Sequence, residues 1–203
     1  MEAARTGGGA LAGDKAARIV DAMRASVAER GTAGSTFDQV ARAAGVSRGL
    51  LHYYFGTKER LLVEVVRRDC DVRMAALDEY LGQARTADDF IAVLVGELED
   101  VVRNDPGFVT LMFELFVLSR RHQEVAAEFS ELLRRTREQV AALLRAKEAE
   151  GVLHLSAEPD AVVDVLFSLA DGIWLRMLAE DRDFGPTIAA GVTCVRALLD
   201  DPA

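Results

Sequence analysis

An all-α fold of about nine helices is predicted by three features of this 203-residue chain. Apolar residues recur at three- and four-residue intervals along most of its length, the period of a half-buried helix and not of a strand. Ser, Thr or Asp precedes many of these periodic segments, where its side chain can accept an otherwise orphaned amide, and Gly follows several of them. Only four prolines are present, and 50% of the residues are hydrophobic against 28% charged, enough apolar material to bury a real core.

Residues 1–13 contain three successive glycines and no apolar run of a signal peptide, so a flexible lead-in is expected there. The first helix runs from about Asp14, its N-cap, to Arg30, with Ile19, Val20, Met23 and Val27 in one stripe and Gly31 ending it. Thr36 caps the second, and Gln39 three residues on completes a capping box. Phe37, Val40, Ala41 and Ala44 form its inner face. Gly45 permits a sharp turn, Val46 plugs the space between helices, and Ser47 caps a third helix over roughly Arg48 to Tyr54. This is a helix-turn-helix pattern. At 100° per residue, Leu51 and Phe55 fall on one side of that third helix, while Arg48, Gly49, His52 and Tyr53 span the opposite arc and Tyr54 lies nearer the buried side.

Thr57 caps a long fourth helix reaching about Tyr80, the expected lever between two domains. A fifth follows Thr86, with Asp89 at the capping-box position, and ends near Asn104; Asp105 then caps a sixth that opens on Pro106 and runs through Ser119. The seventh extends from about His122 to Glu150, where Gly151 stops it. Pro159 starts an eighth lasting to about Glu180, and Pro186 opens a ninth ending near Leu199. These last two are apolar on more than one side, and Gly172, Ala190 and Gly191 would permit close helix approach, so a homodimer through this pair is expected. The domains are thus read as 14–56, a helix-turn-helix head, and 57–203, a helical ligand-binding and dimerisation body.

The net charge of -9 excludes a protein that coats nucleic acid indiscriminately, since that work needs a basic surface. Its distribution is uneven: residues 1–60 hold nine bases against six acids, a net of +3, which leaves -12 on the remainder. A basic head on an acidic body suits local phosphate binding by one end. Cys70 and Cys194 stand far apart without clustered histidines, so neither a zinc motif nor a disulfide framework is expected, and no metal or cofactor is assigned. A reducing cytoplasm is the simplest setting. The stretch from Phe108 to Leu118 is interrupted by Thr110 and Glu114 and falls short of the ~20 residues of a membrane span. His52, His122 and His154 share no helical spacing, and neither a His-Glu-x-x-His, a Gly-x-Ser-x-Gly nor a phosphate-binding glycine loop is present, so an enzyme is not expected.

The outward arc of the third helix has the residue types of a major-groove reader. Arg48 can donate two hydrogen bonds to a guanine edge or pair with phosphate, His52 and Tyr53 place polar groups on short stiff side chains, and Gly49 lets the backbone come close. Thr36 and Lys58, at the starts of the flanking helices, stand where helix N-termini already favour anions.

The run from Thr36 to Glu59 resembles the DNA-binding segment of the TetR/AcrR family of bacterial regulators. Gly45-Val46-Ser47, Leu51, Phe55 and Lys58-Glu59 fit the family's turn, core and fourth-helix opening, while His52 replaces a more frequent tyrosine. The resemblance is specific over about residues 14 to 66 and architectural beyond. It implies a repressor homodimer on double-stranded DNA, at a near-palindromic operator, released by a small-molecule effector. The implied DNA-binding residues are Thr36, Ser47, Arg48, Gly49, Leu50, His52, Tyr53, Tyr54 and Lys58. An activator, or a regulator controlled by a protein partner, is the alternative.

For the effector, bulky adaptable side chains in the central helices suggest a cavity: Met112, Phe113, Phe116, Phe167, Trp174 and Met177. Two acids lie inside apolar helices, Glu114 in the sixth and Asp171 in the eighth. Each needs a partner or a cavity, because an unpaired buried carboxylate is costly. A polar or cationic ligand oriented by either acid is one reading, and an arginine partner is the other.

Overall fold

The computed structural model describes residues 6–199, with side chains from Gly13 onward. Among the described residues there are nine α-helices and no strand: α1 Thr6–Gly34, α2 Phe37–Ala44, α3 Arg48–Phe55, α4 Lys58–Gly82, α5 Ala87–Asn104, α6 Pro106–Ser119, α7 Gln123–Ala149, α8 Pro159–Ala179 and α9 Gly185–Leu199. No helix among them is long and apolar enough to cross a membrane.

The helix ends follow local chemistry. Gly31 leaves helical geometry at φ 70, ψ 172, so the regular part of α1 stops where expected, and a short turn carries the chain on to Gly34. Buried Ser26 and Ser35 close that turn: Ser26 donates to Ser35 Oγ at 2.9 Å, and Ser35 donates to the Gly31 carbonyl at 2.9 Å. At the other end the expectation differs. α1 begins at Thr6, so residues 6–13 are helical where a flexible lead-in was expected, and residues 1–5 lie outside the described ones. Glycine propensity alone argued for a loose segment, whereas extending an already nucleated helix gains one hydrogen bond per added residue.

Two compact units group the residues. The first comprises Met1–Asp69 and Leu111–Phe129; the second, Cys70–Thr110 and Ser130–Ala203. The first therefore takes in residues 58–69 of α4 and part of α6, which the sequence assigned to the body. In the first unit, α2 packs on α1 and on α3. Ile19, Met23, Val40, Leu51, Leu61 and Val65 are fully buried there. Residues 58–69 are tied to α1 by Arg24 Nε on Asp69 at 2.8 Å and Arg68 Nη1 on Asp21 at 2.8 Å. Glu128 accepts from Arg60 at 3.2 Å and from Arg67 at 3.4 Å.

In the second unit, α5 packs on α8 and α9, which also touch each other. Leu81, Phe90, Ala141, Leu144, Leu153, Val162, Val163 and Leu199 make its core. Gly151, at φ 73, ends α7, and the following loop satisfies the last carbonyls of α9: His154 N–H donates to Leu199 at 3.0 Å and Ser156 N–H to Leu198 at 3.1 Å. Lys147, 3% exposed, does the same for α4, donating to the Gly82 carbonyl at 2.8 Å and the Ala84 carbonyl at 3.3 Å, with Glu150 as its counter-ion at 2.9 Å.

Candidate functional site

The α2–turn–α3 segment is held by caps at every junction. Thr36 Oγ1 accepts the Gln39 N–H at 3.4 Å, and Gln39 Oε1 accepts the Thr36 N–H at 3.0 Å, the reciprocal capping box. Gly45 sits in the left-handed region at φ 66, ψ 39, and its N–H and that of Val46 turn back onto α2 carbonyls. Ser47 Oγ accepts the Leu50 N–H at 3.3 Å and starts α3. Thr57 Oγ1 accepts the Arg60 N–H at 3.2 Å and starts α4.

These constraints orient α3. Leu51 is completely buried and anchors it, while Tyr53 on the opposite side is 80% exposed. Arg48, Gly49 and His52 are also exposed; Leu50 and Tyr54 are half-buried. The outward arc is therefore the one expected. Two of its members, and Lys58 at the start of α4, already have intramolecular partners. Arg48 Nη1 donates to Asp38 Oδ2 at 3.2 Å, an exposed pair. His52 Nδ1 donates to the Gly56 carbonyl at 3.0 Å, which leaves Nε2 as the outward nitrogen, and its ring lies edge-on to Phe37 at 4.9 Å. Lys58, half-buried, donates to the Thr32 carbonyl at the end of α1, so its ammonium closes the first unit.

The expected effector residues lie in both units. In the first, Met112, Phe113 and Glu114 are half-buried, and Phe116 is 54% exposed, pointing it away from any enclosed site of its own unit. Glu114 Oε2 is buried and has no hydrogen-bond partner. In the second unit, Phe167 packs against the core, and Trp174 and Met177 are half-buried. Asp171 is exposed as a residue, yet the protein crowding its carboxyl pushes it above the ordinary carboxylate value of 3.8. Trp174 Nε1 donates to the Leu98 carbonyl at 3.0 Å, and its ring stands edge-on to Phe108 at 6.5 Å.

Sequence reasoning missed Arg73, which α4 places over the face of Phe108 with Glu97 and Asp105 as its counter-ions. Its partners lie 24, 32 and 35 positions away, so no local pattern announced it. The structure also has a surface groove of about 490 Å³ along α1 and α2, where Ala22, Ala25, Ala43 and Ala44 are flanked by charged and polar side chains, Arg18, Asp21, Glu29 and Arg30 among them. None of the residues expected to bind an effector lines it. Among the described residues no cluster of His, Cys, Asp and Glu could hold a metal ion.

Comparison with known proteins gives two family matches. Residues 19–65 match the bacterial regulatory proteins of the tetR family, and residues 91–201 match the C-terminal region of BetI-type transcriptional repressors. The HTH-type transcriptional regulator BetI of Cronobacter sakazakii is 28% identical over 180 residues, covering 87% of this chain and 85% of that protein. The BetI regulator of Rhizobium meliloti is 45% identical over 49 residues, 24% of either chain. In fold, a TetR-family regulator from Mesorhizobium loti superposes with a TM-score of 0.74 at 16% identity, over 93% of this chain and 98% of that one. A regulator from Saccharomonospora viridis solved with choline superposes at 0.69 with 17% identity, over 91% and 97%. FadR of Bacillus subtilis, solved with stearoyl-CoA, superposes at 0.67 with 18% identity, over 88% and 96%.

Proposed function

Because the chain belongs to the TetR family of bacterial regulatory proteins and carries a BetI-type C-terminal region, we propose that it is a ligand-released transcriptional repressor and not an enzyme. It binds a near-palindromic operator as a homodimer in the cytoplasm. The observation that carries this reading is the α2–turn–α3 unit. Caps at Thr36, Gly45 and Ser47 fix α3 with Leu51 inward and with Arg48, Gly49, His52 and Tyr53 outward, so a rigid polar helix face is presented to a major groove. Thr36, Ser47 and Lys58 contact the flanking phosphates, and Leu50 and Tyr54 rest at the edge of the groove.

Dimerisation through α8 and α9 is supported by the apolar side chains α8 leaves exposed, Val165, Leu175 and Leu178. Gly172 points the same way, since a Cβ added there meets nothing within 4 Å and its own chain does not require a glycine. An effector bound within the second unit, at Phe167, Asp171, Trp174 and Met177 of α8, prefers a conformation whose recognition helices fit the operator poorly. Regulators of this fold have been solved with ligands as different as choline and stearoyl-CoA, so the fold alone does not fix the effector's chemistry.

The test joins both halves. Small molecules that raise the melting temperature of the purified protein are expected to lower its operator affinity in fluorescence-anisotropy titrations. A molecule that binds the body at saturation and leaves operator affinity unchanged removes the effector half of the reading.

A further inference from the structure

The imidazole of His52 stands on the exposed arc of α3 with one nitrogen committed to the protein and the other facing outward. Its Nδ1 lies 3.0 Å from the Gly56 carbonyl oxygen. A carbonyl only accepts, so the hydrogen of that bond sits on Nδ1. Gly56 leaves the helix at φ 71, ψ -66, and its own N–H donates to the His52 carbonyl at 3.0 Å, so residue 56 is tied to residue 52 through both its amide and its carbonyl. Another side of the ring is set by Phe37 of α2, 8% exposed, whose ring meets the imidazole edge-on at 4.9 Å. Tautomer and ring orientation are therefore fixed before DNA arrives, and little side-chain freedom remains to be lost on binding.

A neutral imidazole with its hydrogen on Nδ1 carries only a lone pair on Nε2, which restricts what that nitrogen can meet. Phosphate oxygens only accept, and so do guanine N7 and O6 and thymine O4. The donors on the floor of the major groove are the N6 amino group of adenine and the N4 amino group of cytosine. Arg48, four residues earlier on the same face, is the converse, a guanidinium that only donates. The α3 surface thus sets a donor and an acceptor one helical turn apart. Their Cβ atoms are about 5–6 Å from each other, which spans about two base steps of roughly 3.4 Å.

We propose that His52 is a specificity-determining residue whose Nε2 accepts a hydrogen bond from the exocyclic amino group of one adenine or cytosine in each half of the operator. The inference rests on the DNA-binding reading above and adds the chemical class of base that α3 selects. Guanine or thymine at that place sets a carbonyl oxygen against the Nε2 lone pair, so those bases are rejected. The selected base lies within about two steps of the base pair that Arg48 reads.

Duplexes are selected from a random library at about pH 8, where imidazole is neutral, with the full-length wild type and with His52→Asn. The asparagine amide can keep the bond to Gly56 but has no atom at the place of Nε2. The wild type is expected to favour adenine or cytosine over guanine or thymine about tenfold at one position in each half. His52→Asn is expected to accept all four bases there within about twofold while its preferences elsewhere persist. The amino group is then removed alone: the analogue of the selected base that lacks only its exocyclic amine is expected to weaken wild-type binding about tenfold and to leave His52→Asn nearly unchanged. Guanine or thymine favoured at the position that His52→Asn relaxes, no position relaxed, or an equal loss for both proteins on removing the amine overturns the proposal. Should His52→Asn lose its helical circular dichroism, amine-free analogues at each adenine and cytosine of the enriched site decide with the wild type. An about tenfold loss at one of them within about two steps of the Arg48-dependent position supports the assignment, and no such loss overturns it. A wild type that enriches a site without an amino preference leaves the DNA-binding reading standing and overturns the role of His52. A wild type that enriches no site overturns both.

Discussion

Arg48 and Asp38 set a small internal contest at the DNA-facing surface. Both are about 60% exposed, and an exposed pair of this kind contributes ~0–1 kcal/mol, so little is lost when Arg48 turns from Asp38 to DNA. Asp38→Asn is expected to tighten operator binding about threefold at low salt, with the gain fading as salt screens it; weaker binding would mean that the pair positions Arg48 for its contact. Asp171 gives a second, pH-dependent test. Its carboxyl lies above the ordinary value of 3.8 in the folded protein because burial disfavours the charge. Its contribution to stability is thus fully present below the unfolded value and lost as the pH rises through the raised folded one. Asp171→Asn should therefore raise the melting temperature at about pH 7 and leave it nearly unchanged at about pH 3; equal shifts at both would contradict the desolvated carboxyl. At this scale the exposed arc of α3 was legible, because one helix period sorts it from Leu51. The partners of Arg48, His52, Lys58 and Arg73 were not, because each is set by how another element approaches.

Helix boundaries depend on chemistry within about four residues, which is why the elements were legible where single side-chain partners were not. Both expected capping boxes formed, Thr36 with Gln39 and Thr86 with Asp89. In the second, the Arg85 N–H and the Thr86 hydroxyl and amide hold the Asp89 carboxyl below its ordinary value. The start of α1 at Thr6 escaped because propagation of a helix is not a property of the residue it reaches. Lys147 escaped for a different reason: the carbonyls it satisfies belong to Gly82 and Ala84, more than sixty positions away. Gly45 offers the clean test at this scale. Its φ is 66, and a Cβ there would meet nothing within 4 Å, so Gly45→Ala carries only the conformational cost of the left-handed region, ~1–2 kcal/mol. Thermal unfolding should show that loss of stability. No loss would mean that the turn relaxes to another geometry, and operator affinity should then fall as α3 is re-aimed.

Over the whole chain, residues 1–60 carry +3 and the remainder -12, so the net positive charge lies on the segment that holds the recognition helix and favours that segment for contact with phosphate. Two recognition helices are needed to read a near-palindrome, so the proposed function stands on dimerisation. Leu175→Asp with Leu178→Asp, at positions 51% and 39% exposed, is expected to give monomers in sedimentation velocity and to weaken operator binding more than a hundredfold; a dimer that persists would put the interface elsewhere. The body's effector was the least legible feature in the sequence, because pocket and core draw on the same apolar residues. Whether α3 reads a specific DNA sequence is decided by selecting bound duplexes from a random library with the wild-type protein and with Arg48→Ala. A strongly enriched near-palindromic site is expected for the wild type, which Arg48→Ala binds ~1–3 kcal/mol more weakly and with relaxed preference at one base step in each half. No enrichment by the wild type, or the same site enriched equally by Arg48→Ala, would contradict sequence readout by α3.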